Sequence, residues 1–171
     1  MACEDGLSSG CVALGTVLER GNGEWKDDKR ARQLYQKACD SGDLQGCTHL
    51  GTMVERGRGG WVKDEAKAVE LYARACDGGP KLGCVHLADE YMGGKGNVTQ
   101  DAVRAVELFQ RACDAGASLS CARLAEMHQT GQGGLAADEK VAFELNQRSC
   151  DGGSLLGCAQ LGAMYIAGQA G

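Results

Sequence analysis

Apolar residues recur along the chain at the three-to-four spacing of an amphipathic helix, and they do so in matched sets. Ala31, Leu34, Tyr35, Ala38 and Cys39 form one stripe. Ala68, Leu71, Tyr72, Ala75 and Cys76 form a second, and Ala105, Leu108, Phe109, Ala112 and Cys113 a third. Offsets of 0, 3, 4, 7 and 8 share one face of a helix. A fourth set, ending at Cys150, is weaker, with Asn146 for the aromatic and Ser149 for the alanine. A terminal repeat with one side in solvent is expected to look like this. A second kind of helix lies between these stripes, first seen at Cys11, Leu14, Val17 and Leu18. It and its counterparts run into Gly-x-Gly at Gly21, Gly57, Gly94 and Gly131, where glycine can take the left-handed conformation that ends a helix. Four residues further on come Trp25, Trp61, Val98 and Leu135, followed by Asp27, Asp64, Asp101 and Asp138. The aspartates read as N-caps, with the apolar residue folded over the helix start.

The pattern is a repeat. Residues 75–87 recur in near-copy at 38–50, 112–124 and 149–161, and in clipped form at 2–14, with a step of 36 residues once and 37 thereafter. Periods in this range mark stacked helix pairs, each burying its apolar face only against its neighbours. The prediction is about nine helices in one array over residues 1–171. It comprises a clipped opening repeat (1–23) and repeats at about 24–59, 60–96, 97–133 and 134–171. Because the chain opens inside a repeat, it is expected to be an excised fragment. Pro80, the only proline, falls in a turn between helices, where it does no harm.

All ten cysteines lie in the repeated stretch, as Cys3 with Cys11, Cys39 with Cys47, Cys76 with Cys84, Cys113 with Cys121 and Cys150 with Cys158, seven residues between members each time. Each pair puts one thiol in the last turn of a helix and the other in the first turn of the next. Antiparallel neighbours bring such positions within the roughly 4.4 to 6.8 Å Cα separation of a disulfide. Five local disulfides are expected, each worth about 2.5 kcal/mol by chain entropy, in an oxidising, extracytoplasmic compartment. Two alternatives stand beside this. Zinc would need a second ligand pair in each repeat and the chain has three histidines in all, and reduced cysteines can pack as small apolar residues.

Charge narrows the function. The formal net charge is −5 with both signs interleaved, which leaves no basic stripe for nucleic acid. No apolar run approaches the roughly 20 residues that span a bilayer, and the first residues lack a secretory signal pattern. No cofactor and no metal are expected. His49 and His86 occupy equivalent positions and His128 does not; all three read as surface or half-buried side chains.

The segment around Ala-Val-Glu-Leu-Tyr72-Ala-Arg-Ala-Cys76-Asp-Gly-Gly, then Gly-Cys84-Val-His-Leu-Ala-Asp-Glu-Tyr91 and Gly94-Lys-Gly, resembles the Sel-one-like repeat, a relative of the tetratricopeptide repeat. The resemblance implies an all-α fold, a right-handed α/α solenoid, and covers essentially the whole chain. Cysteine where that family usually has alanine is similar to the cysteine-rich bacterial branch of the Hcp type, which is secreted and disulfide-bridged. Some of its members are described as binding or slowly hydrolysing β-lactams.

Two functions follow from the resemblance. As an adaptor, the chain would hold a protein or peptide on its concave side, through Thr48, Thr52 and Glu55, Leu82, Val85, Asp89 and Met92, Leu119, Ala122, Glu126 and Gln129, and Ala159 and Ala163. Thr16, Glu19 and Ile166 extend the series, and Ser9, Gln45 and Leu155 lie on the preceding turns. This surface suits an extended or helical peptide with apolar anchors and a basic residue or two. As a β-lactam hydrolase, it would need Ser-x-x-Lys and Lys-Thr-Gly, which the sequence does not contain. No catalytic residue is nominated and the adaptor is favoured. A structural spacer in a longer array is the third reading.

Overall fold

The computed structural model describes residues 8–21, 25–79 and 81–168, with the side chain of Lys81 left aside. Among them are nine helices and no strand: α1 (Ser8–Arg20), α2 (Asp28–Asp40), α3 (Leu44–Glu55), α4 (Glu65–Asp77), α5 (Lys81–Gly93), α6 (Ala102–Asp114), α7 (Ser118–Thr130), α8 (Glu139–Asp151) and α9 (Leu155–Ile166). The chain divides into two compact units, one of residues 1–83 with 95–98 and the other of 84–94 with 99–171. Odd-numbered helices carry the Gly-terminated pattern, even-numbered ones the stripe that ends in cysteine.

The helix starts follow the sequence signals. Asp27, Asp64, Asp101 and Asp138 each accept a bond from the amide three residues on, satisfying a donor the helix itself leaves orphaned. Their own amides donate back to Leu18, Val54, Tyr91 and His128, the same position of each odd helix. Asp43 and Ser154 cap α3 and α9, and Ala117 offers α7 no side-chain cap. The connections after α3 and α7 need glycine. Gly59 and Gly133 sit at φ +66°, and a Cβ on either would stand 2.6 Å from a carbonyl oxygen in the first turn of an even helix, Asp28 or Ala102.

In the first unit α2 packs on α1 and α3, and α4 on α3. Tyr35, Leu50, Met53, Val54 and the cystine sulfurs of Cys39 and Cys47 form its core, with Leu18, Leu34 and Trp61 against the edge. Trp61 lies across the α2 and α4 surfaces, with the Lys67 ammonium 3.9 Å and the Arg32 guanidinium 5.5 Å from its ring. Trp25, expected to fold down likewise, is 74% exposed. Trp61 rests on the preceding even helix, and the described residues hold none before α1.

In the second unit α7 packs on α6, α8 and α9, and α8 on α9. Ala125, Ala142 and Met164 form a buried cluster, flanked by Phe143 and Leu145. Here the sequence expectation fails. Asn146 and Ser149 are fully buried, not solvated, because α9, the last of the described helices, follows α8 and covers it. Asn146 Nδ2 donates to Met164 Sδ at 3.5 Å and Ser149 Oγ to the Ser118 carbonyl at 2.6 Å.

Candidate functional site

Disulfides tie successive helices at their turns, among them Cys39–Cys47, Cys113–Cys121 and Cys150–Cys158, with Cα separations of 4.6, 4.8 and 4.4 Å. Cys11, Cys76 and Cys84 are disulfide-bonded too, and no described cysteine is a free thiol. Cys3 lies outside the described residues. From the next even helix, Arg74 donates to the Cys39 carbonyl and Arg148 to that of Cys113, each at 2.8 Å. Each of these carbonyls also accepts from a turn amide, Gly42 or Gly116, so the following repeat adds a second bond at the helix end.

Where α1, α2 and α3 meet, a polar latch fills the space between them. Tyr35 is fully buried. Its hydroxyl lies 3.2 Å from Thr16 Oγ1 and donates to Glu19 Oε2 at 2.9 Å. Gly15 makes room for the ring, since a Cβ there would stand 2.7 Å from it. The His49 imidazole stacks on the other side at 4.8 Å. Arg58 closes the arrangement, donating to Glu19 at 2.6 Å and to both oxygens of Asp28 at 2.8 and 3.1 Å. Burial pushes the Tyr35 hydroxyl up to about 12, with Glu19 adding to the rise. Burial also holds the His49 imidazolium below its usual range. At α3 and α4 the motif recurs, with Tyr72 2.7 Å from Glu55 Oε2 and 3.3 Å from Thr52 Oγ1.

Where α5, α6 and α7 meet, two repeats on, each of these positions has changed but one. Asp89 stands for Thr16, Met92 for Glu19, Phe109 for Tyr35, Arg123 for His49, Glu126 for Thr52 and Gln132 for Arg58, while Met127 repeats Met53. These seven residues line a hollow of about 250 Å³. Phe109 and Met127 are its buried floor, Met92 a half-buried wall, and Asp89, Arg123 and Glu126 an exposed rim. Arg123 Nη1 is 3.8 Å from Glu126 Oε2 with both side chains about half exposed, a pairing worth little in water. Carboxylates above an apolar floor can hold a long side chain with a cationic head: the stem loses water against Met92 and Phe109, and the head stays at the rim.

The structure brings Asp89, Met92 and Glu126 of the nominated residues together in this hollow. Gln129 is half-buried nearby on α7, and Leu82 and Leu119 are exposed at 53% and 47%. Thr48, Val85 and Ala122 are buried and support the surface from beneath. Thr52 and Glu55 are engaged by Tyr72. Ala159 and Ala163 lie exposed on α9. Phe109, Arg123, Met127 and Gln132 were not nominated. The signal for them was the register itself, since Phe109 is the aromatic of its stripe without the hydroxyl of Tyr35 and Tyr72.

The hydroxyls of Ser41, Ser118 and Ser149 donate to backbone carbonyls, Ser154 caps α9, and Ser120 is fully buried. Among the described residues no group of three His, Cys, Asp or Glu side chains is placed to hold a metal ion. No helix among them is long and apolar enough to cross a membrane.

Residues 8–43, 44–80, 82–116 and 118–154 each match the Sel1 repeat. The chain belongs to the Sel1 repeat family. Its fold is therefore the all-α solenoid class of these repeats, which generally mediate protein–protein interaction. The family frame pairs each odd helix with the even helix after it, which places α1 with α2 and α7 with α8. Among solved structures, the chain is similar to c5321, a protective antigen of uropathogenic Escherichia coli with an SLR fold. They share 27% identity over 97% of this chain and 35% of that one, at a TM-score of 0.81. A Sel1 repeat protein from Oxalobacter formigenes shares 25% identity over 94% of this chain and 64% of its own, at a TM-score of 0.86. Cysteine rich protein B of Helicobacter pylori shares 28%, over 82% of this chain and 99% of its own, at 0.63. The chain thus spans about a third of the first of these proteins and under two thirds of the second. No curated protein sequence matches it significantly.

Proposed function

We propose that this chain is an extracytoplasmic interaction module, and that its second unit holds a partner polypeptide by seating a lysine or arginine side chain in the hollow between α5, α6 and α7. The observation that carries the reading is the hollow itself, an apolar floor of Phe109 and Met127 beneath Asp89 and Glu126. Leu119, exposed on the first turn of α7, extends the contact for an apolar neighbour in the bound segment. The carboxylates steer a cationic segment and set its register, and the apolar contacts slow its release. The cysteine bridges support an oxidising compartment, as does the likeness to a cysteine-rich Helicobacter protein.

Selection of displayed random peptides against the intact chain tests the reading. Peptides carrying a basic residue beside an apolar one are expected, and they lose binding to the Met92→Glu, Phe109→Tyr variant. Enrichment of peptides without a basic residue, or equal binding to that variant, contradicts it.

A further inference from the structure

The methionines of the chain are not equally placed. Met53, Met127 and Met164 share one register position in the core and are 0%, 3% and 1% exposed. Met1 lies outside the described residues. Met92, alone among the described methionines, is half-buried, and it forms a wall of the hollow. Its register position does not call for methionine, since Glu19, Glu55, Gln129 and Ile166 hold it in the other repeats. The Met92 thioether therefore borders a space that solvent enters, while Met127 on the floor of the same hollow is covered.

Exposure decides which methionine an oxidant reaches. Thiolates, the stronger sulfur nucleophiles, react first where they exist, but no described cysteine is a free thiol. Met92 is then the sulfur most open to attack. With a peroxide as co-reactant the step is complete. The sulfur lone pair attacks one peroxide oxygen, and an S–O bond forms as the O–O bond breaks. The departing hydroxide takes the proton of the transferred oxygen and leaves as water. Sulfur gives up two electrons and the peroxide gains them.

The product changes what the wall does. A thioether gives the stem of a bound side chain a soft apolar contact, whereas a sulfoxide is polar and carries an acceptor oxygen. Arg123 and Gln132 line the same hollow and bring N–H donors to it. At the junction of α1, α2 and α3 the register position of Met92 already presents an acceptor, Glu19, and Arg58, the counterpart of Gln132, closes on it at 2.6 Å. An oxygen on the Met92 sulfur restores an acceptor at that place.

We propose that Met92 is a redox modification site, whose sulfoxide, formed by a peroxide, draws the donors of the hollow inward and shuts it to a lysine or arginine side chain. This rests on the reading of the hollow as the seat of a basic side chain. The cystines are closed already, so Met92 is left to register a further rise in oxidant, and reduction of the sulfoxide reopens the hollow.

The intact chain is treated with graded hydrogen peroxide, quenched with catalase, and mapped by mass spectrometry of its peptides, which reads each methionine separately. Met92 should convert at a dose that leaves Met53, Met127 and Met164 as thioethers. Titration with Nα-acetyl-lysine amide, followed through the methyl resonance of the unoxidised Met127, should then show affinity lower by about fivefold or more. Treatment with methionine sulfoxide reductases A and B together should bring it back. Met92→Leu should hold whatever affinity it has before peroxide through the same treatment. Oxidation of a buried methionine at the same dose overturns the site, and unchanged or raised affinity with Met92 fully oxidised overturns the switch. An equal loss in peroxide-treated Met92→Leu also overturns it, because the effect would come from elsewhere. If the untreated chain does not bind the lysine probe, the proposed function fails and the switch with it, whereas the mapping still judges Met92 as the oxidation site on its own.

Discussion

The junction of α1, α2 and α3 and the junction of α5, α6 and α7 are built on one register and end with opposite surfaces. In the first, Tyr35, His49, Glu19 and Arg58 fill the space and satisfy one another. In the second, Phe109, Arg123, Met92 and Gln132 stand in the same places and leave a hollow. The backbone scaffold is the same kind in both, with the same aspartate caps and the same disulfide at the turn. A repeat protein can therefore convert a stabilising latch into an open hollow by side-chain exchange alone, because each repeat is secured by contacts made elsewhere.

The largest effects should not distinguish the two junctions. Replacing Cys39 and Cys47 by alanine, or Cys113 and Cys121, removes the closure of a loop of the same size, and each is expected to cost about 2.5 kcal/mol in denaturant unfolding. A large inequality between the two would mean that the turns are not equivalent. Gly51→Ala comes next and is specific to the latch. Its Cβ would press on the Tyr72 ring, and overpacking of this sort costs about 1 to 3 kcal/mol. Gly162→Ala, at the same position of α9 with open space around it, should instead leave stability unchanged or raise it by up to about 1 kcal/mol, the helix-propensity gain of alanine over glycine.

Smaller still is the exchange of the aromatics. Tyr35→Phe strips Glu19 of a hydrogen bond, at roughly 1 kcal/mol, and Phe109→Tyr buries a hydroxyl beside Met92 at a similar cost. Thermal midpoints of both variants should fall together, and a gain for either would break the symmetry. The smallest effect is one of pH. His49 is held below its unfolded value by burial, so its folded site opposes protonation. Its contribution is complete above the unfolded pKa of about 6.5 and is lost as pH falls from there through the folded value. His49→Gln should flatten the acid limb of stability by up to one proton and leave the neutral plateau little changed. Arg123→Gln, the corresponding change in the second unit, should leave the acid limb as it was.

Much of this is legible in the sequence. Offsets of 0, 3, 4, 7 and 8 gave the even helices, and Asp27, Asp64, Asp101 and Asp138 gave their starts, because capping is a local property that spacing exposes. The nominated surface was legible only in part. Thr48, Val85 and Ala122 are spaced like groove positions yet are buried, and periodicity alone does not say which of two neighbouring helices a residue faces. Asn146 and Ser149 read as solvated because polarity suggested an end of the array. The ninth helix that the repeat pattern predicts is apolar enough to cover them, so the solvent-facing end of the array lies on α9 and not on α8. Phe109 escaped notice because its meaning lies in comparison with Tyr35 and Tyr72, not in its own surroundings.

The central claim is that the hollow of the second unit takes a basic side chain while its counterpart in the first unit is shut. Methionine methyl groups report on both, since Met127 lies in the hollow and Met53 at the same position of the latch, with Met92 marking the wall. With methyl-labelled methionine in the intact chain, titration with Nα-acetyl-lysine amide should shift the Met92 and Met127 resonances along one saturating curve. The Met53 and Met164 signals should stay in place. Movement of Met53 to the same degree, or no movement of Met92 and Met127 at saturating ligand, would contradict the account.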